Sequence, residues 1–92
     1  MQFLSISRLR DGLTEADYGA LVEGEVQQAR ALYSAGSIRQ IWHRADVRGA
    51  CLLWEADNEE TVQRMLQTFP FVQAGIVEIE LIPLIPYAGF QP

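Results

Sequence analysis

Ninety-two residues, 49% hydrophobic and 21% charged, make one folded domain (1–92) and exclude a disordered chain. A net charge of -5, from 12 acids against 7 bases, argues against nucleic-acid binding and against a polybasic membrane anchor. A chain this short buries only part of its apolar surface alone, so self-association as a dimer or higher homo-oligomer is expected.

Phe3 to Arg8 reads as a short strand, ended by the Asp11-Gly12 turn. The same opening segment lacks the basic start and long apolar stretch of a secretory signal. No apolar run approaches the roughly 20 residues that span a bilayer. Cys51 has no partner for an intrachain disulfide, and a cytoplasmic setting is expected.

Thr14, with Asp17 three residues later, has the form of a capping box. It predicts one helix over 15–35, with Tyr18, Leu21, Val22, Ala29, Leu32 and Tyr33 at helical spacing and Gly36 as its stop. Residues 37–44 and 50–56 read as a hairpin about the turn at Asp46–Gly49. In the first of these strands Ile38, Gln40 and Trp42 should face one way, and Arg39, Ile41 and His43 the other. Asp57 or Asn58 caps a second helix whose apolar stripe is Val62, Met65, Leu66 and Phe69 and which Pro70 stops. A last strand covers 76–84, with Glu78 and Glu80 on its solvent face. The proline-bearing, apolar tail from Pro83 to Pro92 is expected to pack on a neighbouring subunit.

The order β-α-β-β-α-β is the plan of an α+β, ferredoxin-like domain: a four-stranded antiparallel sheet with both helices on one face. The bare face then needs a cover, and the sheet of a second subunit is the natural one.

One residue does not fit its face. At about 100° per residue, Glu25 sits among Tyr18, Leu21, Val22, Ala29 and Leu32, all within roughly 60° of it. A carboxylate there is costly unless paired or protonated. Two readings follow: a structural carboxylate that pairs with Arg39 or Arg44 or reaches solvent at the sheet edge, or a general base with a raised pKa in a pocket between helix and sheet.

Glu25, followed by Gly36-Ser37-Ile38-Arg39-Gln40-Ile41-Trp42-His43-Arg44, resembles the muconolactone isomerase family, which has a helical glutamate and then Gly-x-x-Arg-x-Ile-Trp-Arg. Leu53-Trp54-Glu55-Ala56-Asp57, Phe69-Pro70-Phe71 and Val77–Leu84 are similar to later segments of the family in the same order. The resemblance implies paired sheets, a higher oligomer and a metal-free, cofactor-free proton shift in an unsaturated lactone or related cyclic carbonyl compound. A base removes a proton near the carbonyl, a dienolate forms, and the proton returns at the far end of the conjugated system. By this resemblance Glu25 is the base and then the acid, and Arg39 a second catalytic residue. The chain departs from the family where Ile-Trp-Arg becomes Ile41-Trp42-His43, with Arg44 displaced by one, where an asparagine falls on Ala50, and where a histidine falls on Gln63.

His43 is a candidate oxyanion donor or proton shuttle, or else an interface histidine. Trp42, Trp54 and Tyr33 are candidate substrate-binding walls, with core or interface packing as the alternative. No metal-ligand spacing is present, and Cys51 reads as a packing residue. Two other functions stand beside the isomerase: a cofactor-free oxygenase or ring-modifying enzyme of the same architecture, and a non-catalytic small-ligand binding or assembly module in which Glu25 is locked in a salt bridge.

Overall fold

The structure, a computed structural model, describes residues 1–90. Strands β1 (Gln2–Leu9), β2 (Ile38–His43), β3 (Ala50–Glu55) and β4 (Val77–Leu84) form one four-stranded sheet in the order β2-β3-β1-β4, every neighbour antiparallel. Helices α1 (Glu15–Tyr18), α2 (Val22–Ser34), α3 (Glu59–Leu66) and α4 (Pro70–Gln73) connect them. The α+β, ferredoxin-like plan expected from the element order is the one observed.

Facing partners in the ladders fix the two sides of the sheet. Phe3 opposite Trp54 and Pro83, and Ser5 opposite Leu52 and Leu81, point toward the helices. There Phe3, Ile38, Leu52 and Trp54 meet Val62, Leu66 and Phe69 in the buried core. Trp54 is wholly buried, and its indole N–H donates to Ser5 Oγ at 2.9 Å. Phe69 packs edge-on against Trp54 with ring centroids 6.4 Å apart. The opposite side carries Leu4, Ile6, Cys51, Leu53 and Ile82, and no described helix covers it.

Three local details differ from the expected pattern. The first helix is divided: the capping box at Thr14 starts α1, a 3-10 turn over Gly19–Leu21 follows, and α2 begins at Val22. Gly19, a poor helix former, stands at that break. Asn58 caps α3 by accepting from the Thr61 N–H at 2.9 Å, but Pro70 does more than end that helix. It occupies the first turn of α4, where a missing N–H costs nothing.

The third detail is a β-bulge in β2. Ile38 faces Trp54 and Gln40 faces Leu53, so Arg39 is an extra residue on this strand. Past the bulge Ile41 faces Leu52 and His43 faces Ala50, while Trp42 faces Cys51. Ile38, Ile41 and His43 therefore share the helix side, and strict alternation through Arg39 does not hold.

Glu78 lies on the outer face, in ion pairs of 3.2 Å with Arg8 and with Arg10. Beyond β4 the tail runs through Ile85, Tyr87 and Phe90, which are exposed, and Tyr87 and Phe90 pack edge-on with centroids 4.9 Å apart. Gln91 and Pro92, which close the expected subunit-packing segment, lie outside the described residues. Among the described residues no helix is long and apolar enough to cross a membrane.

Candidate active site

Helix α3 is seated on the sheet through Val62 and Leu66, whereas α2 buries no residue completely. Its apolar residues Val22 and Val26 are each 42% exposed, and Ile41 on the facing strand is 40% exposed. The space between α2 and the sheet is a cleft of about 670 Å³, within the usual range for small-molecule sites. Glu25, Val26, Ala29 and Tyr33 form the helix wall, Ile41 and His43 the edge-strand wall, and Ser5, Leu52 and Ile79 the floor. A second lobe of about 580 Å³ shares Glu25, Val26, His43 and Val77 with the first. It continues past Tyr18, Phe71 and the hairpin loop at Val47–Gly49. Glu25 and His43 thus border both lobes.

Glu25 has no cation within ion-pair distance among the described residues. Arg44 is engaged by Asp46 through two hydrogen bonds of 3.0 and 2.7 Å. The Arg39 guanidinium donates to the Gly36 carbonyl at 2.9 Å. The ion-pair reading of Glu25 with Arg39 or Arg44 is therefore corrected. The partner of Glu25 is instead the backbone N–H of Phe71, which donates to Oε1 at 2.9 Å.

Gly24 stands beside this contact. A Cβ at Gly24 would lie 3.3 Å from Pro70 Cγ, a tight contact, so glycine eases the approach of α4, whose second residue reaches the carboxylate. Burial pushes the Glu25 pKa up, and the Phe71 hydrogen bond opposes this in part. The result is a fixed carboxyl group, aimed at an apolar cleft and raised above the ordinary glutamate range. Such a group can take a proton from carbon and return it.

The structure brings Glu25, His43 and Tyr33 to one cleft but not the other expected residues. Arg39, displaced by the bulge, lines a separate groove of about 370 Å³ with Met1, Glu55 and Thr61. Trp54 points into the core, because it faces Phe3 and Ile38 across the ladders. Trp42, 49% exposed, stands on the opposite side of the sheet. The two tryptophans do not wall a pocket together, and neither borders the Glu25 cleft. Two polar residues of the cleft carried no signal in the sequence. Ser5 was hidden in an alternating strand, and Arg48 lies in a loop where periodicity assigns no face.

Comparison with known proteins agrees with the architecture. The family model described as muconolactone delta-isomerase matches residues 1–89. The crystal structure of muconolactone isomerase superposes with a TM-score of 0.80 at 20% identity, covering 96% of this chain and 92% of that one. The 5-chloro-2-hydroxyhydroquinone dehydrochlorinase of Burkholderia phenoliruptrix AC1100, solved with 2,5-dihydroxybenzoquinone, gives 0.77 at 18% identity, covering 92% and 94%. An uncharacterized NIPSNAP domain protein from Burkholderia xenovorans gives 0.54 at 16% identity, covering 100% and 99%. No curated protein sequence matches the chain.

Proposed function

The chain belongs to the muconolactone delta-isomerase family, and from that premise we propose that it is a cofactor-independent isomerase that shifts a proton in an unsaturated lactone or related cyclic carbonyl compound. The observation that carries this reading is Glu25: half-buried, without a paired cation among the described residues, held by one backbone N–H and bordering an apolar cleft. In the deprotonated form it removes a proton from the carbon next to the carbonyl. The electron pair moves into the carbonyl to give a dienolate, and Glu25 returns the proton at the far end of the conjugated system. The double bond migrates, with no net change in composition or oxidation state. Because Glu25 must ionise to act, activity should rise through its elevated pKa as the pH increases.

His43, on the edge-strand wall of the same cleft, is a candidate to donate to the enolate oxygen, and Tyr33 is a candidate wall for the ring. We assign Arg39 no contact with substrate in this reading. Self-association is part of the same proposal. It is supported by the uncovered sheet face with the exposed Trp42 and by the apolar tail through Ile85 and Tyr87.

The test is the ultraviolet absorbance change of muconolactone on addition of the protein. Turnover supports the isomerase. No turnover, with chloride release from a chlorinated hydroxyquinol, would favour a dehydrochlorinase, a second reading prompted by the likeness in fold to that enzyme. Oxygen uptake with a phenolic substrate would favour an oxygenase.

A further inference from the structure

We propose that Ser5 contacts the substrate from the floor of the cleft, donating a hydrogen bond to an uncharged carbonyl oxygen of the ring compound. The inference rests on the reading of that cleft as a ring-binding site and goes beyond it by naming a residue to which that reading gives no role.

Ser5 is the polar residue of an otherwise apolar floor made with Leu52 and Ile79. It is only 2% exposed, and its ladder partners Leu52 and Leu81 offer no polar side chain. Trp54 donates its indole N–H to Ser5 Oγ at 2.9 Å. An indole is a donor only, so Ser5 has to accept, and its own proton must turn elsewhere. Among the described residues that proton meets no acceptor, because the Trp54 contact is the one hydrogen bond of the Ser5 side chain.

Ser7, two residues along the same strand, shows the ordinary solution. It accepts from the Ala50 N–H at 3.2 Å and donates to the Ala50 carbonyl at 3.3 Å, so both roles are filled within the sheet. Ser5 lacks the second of these bonds. A buried hydroxyl with an unspent proton is costly, and the space that Ser5 borders is the cleft.

The floor also selects the acceptor. It carries no cation, so a carboxylate seated there would be buried unpaired, whereas a carbonyl oxygen accepts without bringing a charge. Glu25 borders the same cleft from the helix wall, so a ring between them meets the carboxyl group on one side and the hydroxyl on the other. As Glu25 removes a proton, the electron pair moves onto the carbonyl oxygen and the Ser5 hydrogen bond strengthens; the hydroxyl proton stays on Oγ. The Trp54 N–H, donating to the same Oγ, polarises the hydroxyl for this role. His43, the other candidate donor, is exposed on the edge strand, so Ser5 is the donor in the water-poor part of the site, where such a bond counts most.

The test uses coumarin and chromene, bicyclic rings of nearly equal shape with and without the lactone carbonyl, titrated into the protein and followed by NMR. Ser5→Ala strands the Trp54 N–H and costs stability. The hydroxyl is therefore also removed on a background that needs no acceptor, by adding Ser5→Ala to Trp54→Phe. The preference for coumarin should be about fivefold smaller in the double variant than in Trp54→Phe alone, the scale of one hydrogen bond. The infrared carbonyl band of bound coumarin should lie at lower frequency in wild type and in Trp54→Phe than in the double variant, a shift that a merely structural serine does not produce.

A preference and a carbonyl band that are the same with and without the hydroxyl would overturn the proposal. So would failure of wild type to bind coumarin. Glu25→Gln separates this inference from the isomerase reading. It should abolish turnover and leave the coumarin preference and the carbonyl band in place, so either claim can fail without the other.

Discussion

The approach of α4 to α2 at Gly24 offers a test of how the cleft sets the chemistry of Glu25. Gly24→Ala adds one methyl group, 3.3 Å from Pro70 Cγ. Alanine gains roughly 0.8–1.0 kcal/mol over glycine in a helix interior, an upper bound for Gly24 in the first turn of α2. Against this stands overpacking, about 1 kcal/mol at the low end because Pro70 is only half-buried and can give by a few tenths of an ångström. The two effects nearly cancel, so the thermal midpoint should move by no more than about 5 °C.

The displacement falls on the neighbouring hydrogen bond, Phe71 N–H to Glu25 at 2.9 Å, which lowers the Glu25 pKa. Weakening it should raise that pKa further. The acidic limb of the pH–rate profile should shift to higher pH, and a carbon-detected NMR titration of the Glu25 carboxyl should move with it. An unchanged limb, with the Phe71 amide resonance clearly displaced, would refute the claim that this hydrogen bond tunes the carboxyl.

Glu25→Gln keeps an oxygen acceptor for Phe71 and removes the charge. A folded pKa raised by burial means that ionisation costs stability, so the variant and wild type should be equally stable below the ordinary glutamate range. The variant should be the more stable above the elevated pKa, as read by urea denaturation across pH; a gap that closes as pH rises would contradict the burial argument. Ser5→Ala leaves the buried Trp54 N–H without an acceptor and should cost about 1–3 kcal/mol, visible as a lowered urea midpoint; no change would show that the 2.9 Å hydrogen bond contributes nothing. Light scattering should give a mass above that of one chain, lowered by Trp42→Glu on the uncovered sheet face. A monomeric wild type would contradict the proposed pairing.

The fold was legible because its signals are periodic. Alternation marked the strands, Thr14 and the pair Asp57-Asn58 marked helix starts, and the element order left few topologies. Glu25 was legible because the helix wheel gives direction, and here a carboxylate stood on the apolar arc. The wheel does not give depth, so the looser seating of α2, which opens the cleft, was not legible.

Arg39 was misplaced for a different reason. A single inserted residue resets a period of two, and nothing in Ile38-Arg39-Gln40-Ile41 marks the bulge. Trp42 and Trp54 were separated by the same ladder geometry: a cross-strand pair is known only once the register is known. The place of Arg48 beside the cleft needed the tertiary structure, since its partner Tyr18 lies 30 residues away in the chain.

The central claim is that Glu25 carries the migrating proton. The most direct measurement is the rate of muconolactone isomerisation by wild type and by Glu25→Gln, after checking that both are folded and equally associated. The account predicts measurable turnover by wild type and a loss of at least about a hundredfold in the variant, the scale of a general acid–base group. Turnover that the substitution leaves unchanged would remove Glu25 from the mechanism.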